Sequence, residues 1–416
     1  MASQEEAGSS DPITHLCSTV LDLPPSCIEF SLEAPQYFVV GTYNLQREEP
    51  GDEGETGDGD EDGVNDRVEK KQQSRDGSLI VFKLDGETLS LIQTESVPSA
   101  ILDLHFSPHV PSTLCIVTST GTLSTYSLSP IAATSSEPTT SIDHTLQHIS
   151  TTQLFSTDTI ITSFVFHPSD PELIAVTLTT GAVHLIRNLA PQSPSTSPPT
   201  ISAPVITHSL EAWHGVFTPP PSQTIYSGGD DAKLRFVTFA TLPQTEQDVD
   251  DISTAIVAAS PPNGYRGHEA GVTFILPVPC TQGEPQLLLT GSYDDHIRLL
   301  SHAQNRVQVL SELDLGGGVW RLKFLDPVEP AAEATQGRRY RILASCMHAG
   351  TRVLLLSQGP EGDWGFEILG RVEKHKSMNY GSDFQPIMVE GEDEIRDRRV
   401  IVSTSFYDRL LCVWRI

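Results

Sequence analysis

Apolar residues along this chain come in short runs, rich in β-branched side chains and broken by polar turns. No stretch sustains the spacing of an amphipathic helix, so the pattern predicts strands. One arrangement recurs. An apolar strand ends in Phe, and Pro often follows two or three residues later. It reads Leu104-His105-Phe106-Ser107-Pro108, then Phe164-Val165-Phe166-His167-Pro168, then Val216-Phe217-Thr218-Pro219. It returns in Leu322-Lys323-Phe324-Leu325-Asp326-Pro327 and in Asp383-Phe384-Gln385-Pro386, and Phe30 and Phe274 take the same place. The seven anchors are spaced 76, 60, 51, 57, 50 and 60 residues apart.

A second apolar run, a tight turn and a third run follow the anchors. Leu287–Thr290 leads through Gly291-Ser292-Tyr293-Asp294-Asp295 into His296–Leu300. Gly228-Gly229-Asp230-Asp231 and Phe406-Tyr407-Asp408 play the same part, with Gly and Asp expected to supply the turn geometry. Seven units of three or four strands predict an all-β fold, a seven-bladed β-propeller formed by one domain over residues 1–416. The last unit ends at Ile416 with its third strand, and residues 13–23 are expected to add the outer strand that closes the ring. Arg266-Gly267-His268 precedes Asp294 by 26 residues, close to the Gly-His to turn-Asp spacing of WD repeats. That spacing predicts a His268–Asp294 bond that locks a blade. Val413-Trp414 keeps only half of a Trp-Asp ending, so the repeats are degenerate.

Composition adds limits. The chain has 416 residues, with 26 Lys plus Arg against 54 Asp plus Glu, a net charge of −28. A nucleic-acid binder held by a broad basic surface is excluded. Glu48–Asp66 holds ten of the acids and no base, and it is rich in glycine. It predicts a disordered acidic insertion, residues 47–76, within the first blade. Asp58-Gly59-Asp60-Glu61-Asp62-Gly63 suggests calcium, but no amphipathic helix flanks it. Ser129–Thr140 and Gln192–Pro199 are linker-like. No apolar run is long enough for a membrane span, and the polar N-terminus is no secretory signal. The six cysteines form no Cys-x-x-Cys pair, so a reduced, cytoplasmic setting is expected, without structural zinc or disulfides. No metal-ligand spacing appears, and a monomer is expected.

Several stretches in order resemble one WD-repeat family. They are Glu211-Ala212-Trp213, Tyr226-Ser227-Gly228-Gly229-Asp230-Asp231, Thr290-Gly291-Ser292-Tyr293-Asp294-Asp295-His296 and Gly317-Gly318-Val319-Trp320-Arg321-Leu322-Lys323. Ala344-Ser345-Cys346-Met347-His348-Ala349-Gly350, Tyr380-Gly381-Ser382-Asp383 and Ser405-Phe406-Tyr407-Asp408 complete the set. Together they look like the diphthine methylesterases of diphthamide biosynthesis. The likeness is good over residues 205–416 and rests mainly on the repeat pattern before that. It implies hydrolysis of the methyl ester of methylated diphthine, a modified histidine on translation elongation factor 2. Methanol leaves, and no metal or organic cofactor takes part.

Such a reaction needs an activated nucleophile, a proton donor and donors for the oxyanion. The Gly-x-Ser-x-Gly elbow is absent. Cys346 could attack, but it ends an apolar run and reads better as a buried thiol. His348 is the preferred general base, oriented by Asp294, Asp383 or Asp408, and each of these four also suits a structural turn. Diphthine carries a trimethylammonium group, which aromatic faces and carboxylates hold. Trp213, Tyr293, Trp320, Tyr380 and Tyr407 are the candidate cage, with Asp230, Asp231, His296 and Asp383 beside them. Trp213 and Trp320 could instead pack between blades. Arg321 and Lys323 could meet the carbonyl oxygen, or simply form a polar strand face. The competing function is a non-catalytic scaffold, an adaptor in trafficking or in a ligase complex, and a propeller fold serves either.

Overall fold

Each of the seven anchor phenylalanines lies on the first strand of its own antiparallel sheet, and the seven sheets follow in chain order. The computed structural model describes residues 13–45, 75–131, 143–188, 198–219, 223–242, 245–250, 252–281, 283–303, 306–326, 337–386 and 399–416. The sheets form a ring, a seven-bladed β-propeller. The first strands are Pro25–Phe30, Ile101–Phe106, Ile161–Phe166, Ala212–Phe217, Val272–Val278, Arg321–Phe324 and Gly381–Phe384, in blades one to seven. The expected acidic insertion lies outside the described residues, except for Arg75 and Asp76, which open the strand Arg75–Asp85 of blade one. Much of the two linker-like segments also lies outside them.

The short apolar runs bury both faces, because each sheet packs between two others. Seven hydrophobic clusters fill the seven gaps between successive blades. One joins Val39, Leu79 and Val81 of blade one to Leu104, Leu114 and Ile116 of blade two. Another closes the ring by joining Phe30, Phe38 and Val40 to Val402, Leu411 and Val413 of blade seven. Non-directional burial of this kind is the main stabilising force of the ring. Blade seven takes its outer strand from the other end of the chain. Thr14–Val20 runs antiparallel to Leu410–Arg415, from Thr14 opposite Arg415 to Val20 opposite Leu410.

Two readings of the repeat are corrected. Phe274 does not occupy the anchor place. It pairs with Gly291, as His214 pairs with Gly228, and Pro277 stands where Phe217 stands in blade four. The repeat glycines Gly228 and Gly291 also lie inside strands rather than in the turns. A Cβ on Gly291 would come 2.7 Å from Val319 of the next blade, so close approach of the neighbouring strand excludes a side chain. The left-handed turn residues are Ala232, Asp295 and Arg409 instead. A short helix, Glu246–Asp250, and a 3₁₀ turn, Ile252–Ala255, interrupt blade four, where no helix was expected. No helix among the described residues is long and apolar enough to cross a membrane.

Candidate functional site

Strand alternation decides what the centre of the ring contains. Neighbouring residues point to opposite faces, so positions one and three before each anchor share a face. In blades one, two and six these positions hold Glu29 and Cys27, His105 and Asp103, and Lys323 and Arg321. All six line a central cavity of about 260 Å³, together with Phe274, Tyr380 and Ser382. In blade seven the position before the anchor is Asp383, which is 1% exposed.

Charges in this channel meet across the ring. Arg321 Nη2 of blade six donates to Asp103 Oδ1 of blade two at 2.8 Å. His105 Nδ1 lies 2.6 Å from Glu29 Oε2, and its Nε2 lies 3.3 Å from Asp103 Oδ2. Burial opposes charge on His105, but Asp103 and Glu29 outweigh it and lift the imidazole to about 10. Burial likewise opposes ionisation of Asp103, while Arg321 and His105 pull its carboxyl down to about 2. His214, buried beside Arg321, falls to about 3 and is neutral. Lys323 Nζ donates to Asp383 Oδ1 at 2.6 Å, and Asp383 Oδ2 accepts from the backbone N–H of Phe30 at 2.7 Å. Burial disfavours the Lys323 ammonium, yet Asp383 overcomes this and raises its pKa.

Above the channel runs an arc of aromatic rings. Trp213 lies 5.7 Å from Trp320 and 6.1 Å from Tyr293, and Trp320 lies 5.9 Å from Tyr293 and 5.1 Å from Tyr380. Tyr380 continues to Phe406 at 5.5 Å, and Phe406 to Tyr43 at 6.1 Å. The arc has a simple origin in the repeat. Trp213, Trp320 and Tyr380 immediately precede the outermost channel position of their first strands, and Tyr43, Tyr293 and Phe406 stand where the second strands turn back. The rings are half-buried. Trp213 Nε1 donates to Asp230 Oδ1 at 3.2 Å. Burial raises the Tyr293 phenol, and the nearby Tyr380, Asp230 and Glu211 raise it further.

An aromatic arc with carboxylates attracts an organic cation, and the channel below it carries cations that suit an oxyanion. No family model matches the chain. It is similar to diphthine methyltransferases from end to end. The proteins of that name from Saccharomyces cerevisiae and Schizosaccharomyces pombe are 27% and 25% identical to it, each over 94% of this chain and 95% of its own length. A diphthine methyltransferase homolog from Dictyostelium discoideum is 24% identical over 95% of this chain and 97% of its own. In fold, the chain is similar to the crystal structure of Sqt1 from Chaetomium thermophilum, at a TM-score of 0.55 and 12% identity over 95% of this chain and 85% of that one.

Of the expected site residues, Trp213, Tyr293, Trp320 and Tyr380 touch one another, and Asp230 holds Trp213. Arg321 and Asp383 lie deeper, in the channel. Tyr407 is 70% exposed and joins the arc only through Phe406, at 5.1 Å. Three expected acids are engaged in blade locks instead. Asp294 holds His268 at 3.2 Å and Arg298 at 2.7 Å, while His268 reaches Thr290 at 2.7 Å. Asp231 holds His208 at 2.8 Å, and His208 reaches Ser227. Asp408 accepts from Ser405 and Ser377, and His375 with Trp414 completes that lock on Ser403. None of the three bonds to His348. His296 is held by the carbonyl of Asp294 at 2.6 Å. His348 is exposed in the turn of blade six, with no side-chain hydrogen bond among the described residues. Cys346 is fully buried in the core and burial pushes its thiol up to about 12, which disarms it as a nucleophile.

Sequence reasoning did not single out Glu29, Asp103 or His105 as site residues. They belong to blades one and two, outside the motif-rich half. Their signal was the anchor itself, since the channel positions are those one and three before it.

Proposed function

We propose that the protein acts on the methylated side chain of diphthine in translation elongation factor 2, hydrolysing the methyl ester. The carrying observation is the half-buried aromatic arc of Trp213, Tyr293, Trp320 and Tyr380, with Asp230 at its edge. A fixed trimethylammonium ion cannot shed its charge and cannot donate a hydrogen bond. Ring faces and a nearby carboxylate are therefore its natural partners. The relatives' names point to the same modified residue and to its methyl chemistry.

In this reading water adds to the ester carbonyl carbon and gives its proton to His348. The C–O bond to the methoxy group then breaks, methanol leaves with a proton, and the new acid ionises. His348 suits this task because it stands exposed on a turn, with no side-chain hydrogen bond among the described residues. The test is mass spectrometry of elongation factor 2 carrying methylated diphthine, incubated with the purified protein. Loss of one methylene unit is expected, and His348→Ala is expected to slow it by about 10²–10⁴-fold. Gain of a methyl group on unmethylated diphthine, dependent on an added methyl donor, would replace hydrolysis with transfer. Binding of the factor without change in mass would leave a scaffold.

A further inference from the structure

We propose that Lys323 and Arg321 form a subsite for carboxyl oxygens in the channel, making the protein a receptor for ligands that carry a trimethylammonium group and a carboxyl group a few atoms apart. This rests on the aromatic arc for the cationic end and assigns the other end independently.

The two residues are separated by one position on the first strand of blade six, so both project into the cavity. Each is anchored by a single carboxylate, Arg321 by Asp103 across the ring and Lys323 by Asp383 of the neighbouring blade. Asp103 takes only Nη2 of Arg321, and Asp383 takes one of the three N–H donors of Lys323. Among the described residues, Nε and Nη1 of Arg321 and the remaining donors of Lys323 meet no other acceptor. The Lys323 side chain is 45% exposed toward this space, although its partner Asp383 is almost fully buried. Donors held in place and left unspent in a walled cavity recognise an oxygen anion without reorganising. The imidazolium of His105, fixed between Glu29 and Asp103, adds a third positive group to the same cavity from blade two, across the ring.

Placement joins this subsite to the arc. Trp320 precedes Arg321 in the chain, Tyr380 lines both arc and cavity, and the Arg321 guanidinium lies 5.5 Å from the Phe274 ring centroid. A ligand with its methyl groups on Trp320 and Tyr380 thus has its other end at Arg321 and Lys323. An ester offers this subsite one carbonyl oxygen, whereas the free acid offers two oxygens and a full charge. The hydrolysed form should therefore bind more tightly than the ester.

Isothermal titration calorimetry with four probes tests this. They are γ-trimethylammonio-butanoate, its methyl ester, tetramethylammonium and butanoate. The zwitterion should bind wild type about tenfold tighter than tetramethylammonium, with the ester between them. Lys323→Met should remove that gain and leave tetramethylammonium affinity unchanged. Because this variant strands a buried carboxylate, the Lys323→Met/Asp383→Asn double variant is measured beside it, with thermal melts of both. Equal affinity for zwitterion and tetramethylammonium in wild type would overturn the subsite, as would an unchanged gain in a folded variant. If tetramethylammonium fails to bind while butanoate binds and depends on Lys323, the aromatic reading falls and the carboxyl subsite stands.

Discussion

His105 is the residue whose charge most depends on its neighbours. Its folded-state pKa, about 10, lies above the ordinary 6.5. Its contribution to stability is therefore fully present below 6.5 and is lost as pH rises through about 10. Asp103 behaves oppositely. Its folded-state value, about 2, lies below the ordinary 3.8, so its contribution is present above 3.8 and lost as pH falls through about 2. The channel network is thus complete between these limits and weakens on the alkaline side first. The melting temperature should fall from pH 7 toward pH 10, and His105→Gln should flatten that fall. Parallel curves for the two proteins would show that the imidazole is not charged in the folded state. At this scale the sequence was half legible. The arc residues could be proposed because Trp and Tyr are rare and recur at two comparable positions of the repeat. Asp294, Asp408 and Asp231 were ambiguous in the sequence because a blade-locking Asp and a catalytic Asp occupy the same turn. The partners tell them apart: Asp294 bonds His268, Asp231 bonds His208, and Asp408 accepts from Ser405 and Ser377.

Blade seven shows how an element is completed by a distant piece of chain. Without Thr14–Val20, the strand Leu410–Arg415 would present a row of unpaired backbone groups to solvent, and the cluster holding Phe30 and Val413 would lose Leu16 and Cys17. Deleting residues 1–23 should therefore lower the melting temperature by about 5–10 °C. A deletion through residue 12, which spares the strand, should leave it unchanged in the same differential scanning experiment. Equal melting of both truncations and the full chain would show that the ring closes without this strand. Elements were legible where apolar runs were bounded by anchors. The register of blade five was not, because Phe274 mimics an anchor and Pro277 holds that place. The helix Glu246–Asp250 was missed because five residues show too little periodicity to be seen.

The molecule as a whole carries a charge of −28, yet its channel is nearly balanced, with Arg321, Lys323 and His105 set against Asp103, Asp383 and Glu29. The surplus of acid therefore lies outside the channel, where it is expected to act on approach rather than on chemistry. A field of one sign steers an oppositely charged partner into encounter, and salt screens it over a Debye length of about 8 Å at physiological ionic strength. Groups inside the walled cavity are screened much less. The two locations predict different responses in one experiment. If the proposed activity holds, raising potassium chloride from low to physiological concentration should lower kcat/KM for methylated elongation factor 2 and leave kcat unchanged. With γ-trimethylammonio-butanoate methyl ester, a small ligand without net attraction beyond its single charge, the same titration should change kcat/KM far less. If the protein substrate shows no dependence on salt, the surplus acid does not guide the encounter. A fall in kcat with both substrates would instead locate the salt-sensitive interaction inside the channel, at the charges that hold Arg321 and Lys323.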